Sequence, residues 1–148
     1  MLQFGIDKLV GSSPIWKRQR IGFVTNDAAT TSSGILSRVA LLKNQFKLVK
    51  IFSPEHGISV KGDDDVKQQN VTETITDLPV VSLYGEKLMP SEEDMQDVDM
   101  VLFDIPDIGC RFYTYLWTMT YVMESCAAYN KPFVILDRPN PIGALLEK

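Results

Sequence analysis

Five short apolar runs, residues 20–26, 46–52, 79–83, 98–105 and 132–136, alternate with segments whose apolar residues recur every three to four positions. Runs of that length read as buried strands and the intervening segments as helices. Ile35, Leu36, Val39 and Leu42 follow N-cap candidates between Thr30 and Ser33. Ser91 stands three residues before Asp94, a capping-box start for a short helix. A longer helix is expected over residues 111–129, with Phe112, Tyr115, Leu116, Met119, Val122, Met123 and Cys126 as its apolar stripe. Tyr113, Trp117 and Tyr121 widen that stripe almost all the way round, so the helix is expected to touch something on two sides. Residues 57–78 are polar and read as irregular. Strands alternating with helices restrict the chain to an α/β fold. The expectation is a doubly wound, mainly parallel sheet of about five strands with helices on both faces.

In such sheets, ligands bind beyond the carboxyl ends of the strands. Unusual polar residues follow all five runs: Asn26 after the first, Ser53-Pro54-Glu55-His56-Gly57 after the second, Tyr84-Gly85-Glu86 after the third, Asp104 and Asp107 at the fourth, and Asp137-Arg138-Pro139-Asn140 at the fifth. Glu55 lies between a proline that fixes the turn and a glycine that frees its exit, a rigid mount for general acid or base work. His56 beside it is either a site residue or a hydrogen-bonded structural one. Asp104 and Asp107 lie where a strand yields to a helix that Arg111 is expected to open. Glycoside hydrolysis typically uses two carboxylates, and an arginine can hold a substrate carboxylate bidentately. Equally, one aspartate can cap the helix while Arg111 neutralises the other. Two prolines stiffen the loop carrying Asp137, Arg138 and Asn140, and Asp137 and Arg138 can pair with each other or with neighbours instead of a ligand.

Other classes fall away. The chain has 148 residues, room for one domain and not comfortably two, with 45% hydrophobic and 23% charged residues. A net charge of −4 makes a nucleic-acid backbone a poor partner. No apolar run of 18 residues is present to span a membrane. The first residues lack a basic region followed by an apolar one, so the chain as written reads as cytoplasmic; a periplasmic or secreted location is the alternative if its front has been trimmed. One histidine and two cysteines leave little for a zinc site. Asp63-Asp64-Asp65 lacks the twelve-residue calcium pattern and reads as a solvated acidic loop. Gly109 stands outside any Gly-x-Gly-x-x-Gly fingerprint. No metal and no cofactor are expected. Cys110 and Cys126, sixteen residues apart on an expected helix, would be roughly 24 Å apart, far beyond disulfide reach, and read as free thiols.

Eight ordered motifs carry a resemblance: Gly5-Ile6-Asp7, Arg20 to Asn26, Phe52 to Gly57, Ser82-Leu83-Tyr84-Gly85, Phe103-Asp104-Ile105, Asp107-Ile108-Gly109, Arg111-Phe112-Tyr113-Thr114-Tyr115 and Asp137 to Pro141. Together they resemble the exo-β-N-acetylmuramidases of bacterial cell-wall recycling, a family first known only as a domain of unknown function. The resemblance implies a Rossmann-like N-terminal catalytic domain over residues 1–148, with the family's C-terminal domain absent from this sequence. It implies release of terminal N-acetylmuramic acid from the non-reducing end of peptidoglycan fragments. Glu55 would be the catalytic acid, with His56, Asp104 and Asp107 as the other candidate catalytic residues. Asn26, Tyr84, Arg111, Tyr113, Asp137, Arg138 and Asn140 would bind muramic acid sugars, Arg111 or Arg138 taking the lactyl carboxylate. Many relatives carry Gln where this chain has Pro106, which removes a polar group from that site. Without the second domain, hydrolysis is expected to be poor, and apolar surface around Trp117 and Tyr121 would favour homo-oligomers. A non-catalytic α/β domain binding sugar or a partner is the alternative, and a nucleotide-binding module rests on fold analogy alone.

Overall fold

A computed structural model describes residues 3–59 and 71–143. Its six strands are β1 (Ile21–Thr25), β2 (Leu48–Ser53), β3 (Val71–Thr72), β4 (Pro79–Ser82), β5 (Met100–Asp104) and β6 (Phe133–Ile135). They form one sheet in the order β3-β4-β2-β1-β5-β6. The five longer strands are mutually parallel, and β3 alone runs antiparallel, at the edge against β4. Four α-helices accompany them: α1 (Gly5–Val10), α2 (Ser37–Lys43), α3 (Glu92–Met95) and α4 (Tyr115–Ala128), with a 3-10 turn at Ile15–Arg18.

β1 and β5 are buried along their whole length, as strands covered on both faces must be. Their alternate residues feed two cores. Ile21, Phe23, Met100 and Leu102 pack with Ile6 and Leu9 of α1 and Leu41 of α2. Val24, Val101 and Phe103 pack with Met95 of α3 and with Tyr115, Val122 and Cys126 of α4. The expected doubly wound sandwich is therefore present. Gly22 has no side chain because a Cβ there would stand 2.7 Å from the Phe52 ring. At the amino end of β1 and β5, the Arg20 guanidinium and backbone N–H both donate to Asp99.

Four sequence expectations need correction. The stretch 57–78 is not wholly irregular, since it contains β3, and two residues are too few to show a strand period. α1 was not anticipated, because six residues carry less than two turns of pattern. α4 starts at Tyr115, not at residue 111, so Arg111 lies in the turn before it. Gly109 at φ +78° and a Tyr113 N–H bond to the Cys110 carbonyl hold that stretch out of the helix. The buried stripe of α4 is also rotated: Thr118 and Ser125 face inward, where the Ser125 hydroxyl donates to the Pro90 carbonyl at 2.8 Å. Leu116, Trp117 and Met123 face outward, so this domain covers the helix on one side only. Residues 63–65, read as an acidic loop, lie outside the described residues. Both cysteines are free thiols. No helix among the described residues is long and apolar enough to cross a membrane.

Candidate functional site

The sheet order reverses at β1, which has β2 on one side and β5 on the other. Connections leave these strands toward opposite faces, which opens a crevice beyond their carboxyl ends. Two side chains close it from below. Asn26, the first residue past β1, is fully buried. Its Oδ1 accepts from the Ala28 N–H at 3.1 Å, an Asx turn that fixes the amide plane. Its Nδ2 is set toward the Tyr115 hydroxyl, without a hydrogen bond of good geometry among the described residues. Asp104, the last residue of β5, is also fully buried, and both its oxygens are taken by Arg138: Oδ1 by Nε at 2.6 Å and Oδ2 by Nη2 at 2.9 Å. The same Nη2 reaches the Thr30 carbonyl at 2.8 Å and the Ser37 hydroxyl at 3.3 Å, and the guanidinium lies 5.1 Å over the Phe4 ring. Asp104 and Arg138 are thus bound to each other and to three other elements.

Glu55 leaves β2 on a tight turn, closed by the Gly57 N–H donating to the Pro54 carbonyl at 3.0 Å. His56 occupies this turn at φ +67°, a left-handed conformation that a side chain adopts at a cost of about 1–3 kcal/mol. The turn is tied to the β1 exit by the Asp27 N–H, which donates to the Ile58 carbonyl at 2.8 Å. Asp27 itself accepts from Arg38 at 2.6 Å, and the buried Arg38 also meets Glu73 at 3.2 Å. Glu55 is half-buried and His56 exposed.

Tyr113 and Tyr115 complete the wall, their rings packed edge to face with centroids 4.7 Å apart. Burial pushes the Tyr115 hydroxyl above its ordinary value; Tyr113 and the Glu55 carboxylate push it the same way, while the Asn26 amide opposes them. Four groups from three strand exits and a helix start therefore share one electrostatic environment: Asn26, Glu55, Tyr113 and Tyr115. The sequence reading assigned Tyr115 to the apolar stripe and missed it here. The usable signal was its two-residue spacing from Tyr113 ahead of the helix, which puts both rings at one place.

The remaining candidates gather beside this cluster. A cleft of about 150 Å³ at the exits of β5 and β6 is lined by Ile105, Asp107, Leu116, Met119, Asp137 and Arg138 among others. Asp107 is exposed and its Oδ1 accepts from the Gly109 N–H at 2.8 Å. Asn140 closes a turn with Ile142 and leans on Gly109, where a Cβ would meet Asn140 Oδ1 at 2.5 Å. Arg111 is exposed and has no ion pair among the described residues. Tyr84 stands apart: it is exposed at the exit of β4, three strand spacings or about 14 Å from β5. No group of three metal-ligating side chains occurs among the described residues.

Known proteins share this architecture. The profile of the family described as "Exo-beta-N-acetylmuramidase NamZ, N-terminal" matches residues 21–147. The "Peptidoglycan beta-N-acetylmuramidase NamZ" of Bacillus subtilis (strain 168) is 42% identical across 96% of this chain, which covers 35% of that protein. Two crystal structures of DUF1343 family proteins from Bacteroides fragilis NCTC 9343 are also similar. One has a TM-score of 0.86 and 37% identity over 98% of this chain and 36% of its own; the other has a TM-score of 0.76 and 35% identity over 95% of this chain and 36% of its own. The chain spans about a third of the length of these relatives.

Proposed function

The chain belongs to the exo-β-N-acetylmuramidase NamZ N-terminal family, and on that premise we propose that residues 1–148 are a Rossmann-like catalytic domain that hydrolyses the β-glycosidic bond of a terminal N-acetylmuramic acid. The observation that carries this reading is the convergence of Glu55 with Asn26, Tyr113 and Tyr115 at the point where the sheet order reverses. Glu55 protonates the leaving oxygen. Its turn is braced through Asp27 and Ile58, and the strained His56 beside it is the kind of backbone outlier that collects at working sites. Asp107, exposed on the cleft, serves as the second carboxylate, while Asp104, with both oxygens held by Arg138, positions the loop after β6. Arg138 is spent on that task. Arg111, lacking an ion pair among the described residues, takes the lactyl carboxylate that distinguishes muramic acid.

The cleft of about 150 Å³ is small beside the roughly 300–1,000 Å³ of typical ligand sites. Phe112, in the turn before α4, and Trp117, on α4, are 82% and 59% exposed. We propose that a further domain, corresponding to the rest of the longer relatives, covers this face and completes the cleft, so the chain alone turns over slowly. The test is hydrolysis of a disaccharide in which N-acetylmuramic acid is β-linked to a second sugar, whose poorly leaving oxygen needs a proton. The chain is assayed alone and as a chimera in which it replaces the matching third of the Bacillus subtilis relative. The folded chimera should be active, and Glu55→Gln should lower its kcat by about 10²–10⁴-fold. Retention of more than about a tenth of kcat removes Glu55 from the acid role.

A further inference from the structure

Between Lys8 and Ser53 the chain carries eight lysines and arginines and a single acidic residue, Asp27, although its net charge is −4. Three of the eight are occupied: Arg20 by Asp99, Arg38 by Asp27 and Glu73, and Lys50 by Asp97. The fold gathers Lys17, Arg18, Lys43 and Lys47 at the amino end of the sheet, the end away from the crevice. Lys17 and Arg18 lie in the 3-10 turn before β1, Lys43 ends α2, and Lys47 leads into β2. The Lys47 N–H donates to the Lys17 carbonyl at 3.1 Å, and Lys17 Nζ reaches the Asn44 carbonyl, next to Lys43, at 3.5 Å. None of the four has an ion pair among the described residues. Like charges held side by side without counter-charges make a field that attracts an anionic partner.

An apolar tip stands beside these cations. Ile15 is 100% exposed, on a turn that its neighbours hold in shape. Trp16 packs on Phe46 with ring centroids 6.0 Å apart, and the N–H groups of Lys17 and Gln19 donate to the Pro14 and Trp16 carbonyls. An apolar groove lined by Ile15, Trp16, Met100, Pro132 and Val134 continues from the tip. A linear polyanion such as a nucleic acid would use the charges and leave Ile15 in water. Tracking along this end of the sheet, it would also meet the exposed Glu92 and Glu93 of α3, which packs on the opposite core from Trp16. A bilayer touched at one corner takes both features: its interface receives the apolar side chain and its anionic headgroups the cations. We propose that this end of the domain is a peripheral docking surface for an anionic lipid bilayer, with Ile15 at the interface and Lys17, Arg18, Lys43 and Lys47 on the headgroups. Docked this way, the chain turns the crevice at the carboxyl ends of its strands away from the bilayer. The surface is independent of which sugar that crevice takes.

The test is co-sedimentation of the 148-residue chain with vesicles of phosphatidylglycerol and phosphatidylcholine in equal parts, and with vesicles of phosphatidylcholine alone, in about 0.1 M salt. Wild type should partition at least about tenfold more strongly onto the anionic vesicles. Each basic side chain at such a surface is worth about fivefold, so Lys43→Gln combined with Lys47→Gln should lower the partition by about 25-fold. Ile15→Ser should lower it by at least about threefold, through lost apolar insertion. All three positions are exposed, so the variants should keep the wild-type circular dichroism spectrum. A double-stranded DNA fragment is the competing polyanion and should bind far more weakly than the anionic vesicles. Wild type that ignores anionic vesicles, equal partition onto the two vesicle types, or folded variants that partition like wild type each overturn the proposal. DNA bound as tightly as the vesicles, with Ile15→Ser changing neither, shows a general polyanion surface and overturns the bilayer as its partner.

Discussion

Removing the charge of Asp104 should damage the fold more than any other single carboxylate change. The carboxylate is fully buried and accepts from Arg138 at 2.6 and 2.9 Å, and the Arg138 side chain is only 9% exposed. In Asp104→Asn one oxygen remains, but an amide N–H2 now faces a guanidinium whose charge has no counterion. Breaking a buried pair from one side costs about 3–5 kcal/mol, because the surviving charge stays out of water. For a chain of this length, that corresponds to a fall in Tm of roughly 6–20 °C. Urea unfolding followed by far-UV circular dichroism gives the loss directly, as a lower midpoint at unchanged slope. The pair is shielded from solvent, so added salt should change the loss little. Asp104→Leu combined with Arg138→Met should recover most of it, since an apolar pair of similar volume replaces a buried ion pair at little cost. A loss under about 1 kcal/mol would mean the pair behaves as a solvated surface bridge. The assignment of Asp104 and Arg138 to holding the loops together would then be wrong.

Two further outcomes follow from titratable groups. Hydrogen bonds from the Arg20 side chain and backbone hold Asp99 down to about 2 from an ordinary 3.8; the stabilisation is therefore complete above about pH 4 and lost as pH falls toward 2, and Asp99→Asn should flatten the acid limb of a stability profile, an unchanged slope refuting the assignment. Burial pushes the Cys126 thiol up to about 11, whereas Cys110 is half-buried in a turn; at pH 8 a thiol reagent should label one cysteine quickly and the second only on unfolding, and rapid labelling of two would contradict the burial of α4.

The sequence was most informative where one residue's chemistry is set by its immediate neighbours. The apolar runs needed only their own composition to read as strands, and the Ser91–Asp94 capping box is formed as its spacing implied. The Glu55 turn is rigid for the local reason given, a proline before it and a glycine after. What escaped was set across the fold. Thr118 and Ser125 face inward because Pro90, 35 residues from Ser125 in the chain, offers a carbonyl there, a fact no periodicity contains. Arg138 read either as a cation for substrate or as a partner of its neighbours, and the choice lay with Asp104, Thr30 and Ser37, brought beside it from positions distant in sequence.

The separation of structural from chemical polar residues follows the same division. Asp104 and Arg138 satisfy each other, and Arg38 sits buried between Asp27 and Glu73. These ion pairs tie the β1 exit to α2, to the segment beside β3 and to the loop after β6. Their geometry is consumed in holding the backbone, so the groups they hold are relieved of that duty. Arg111 is left without an ion pair among the described residues. On the proposed function, an anionic lactyl group calls for a solvated guanidinium. Burying that guanidinium would raise the cost of its charge. Arg111 is exposed, whereas Arg138 is buried against Asp104, which is why we propose Arg111 and not Arg138 for the lactyl group.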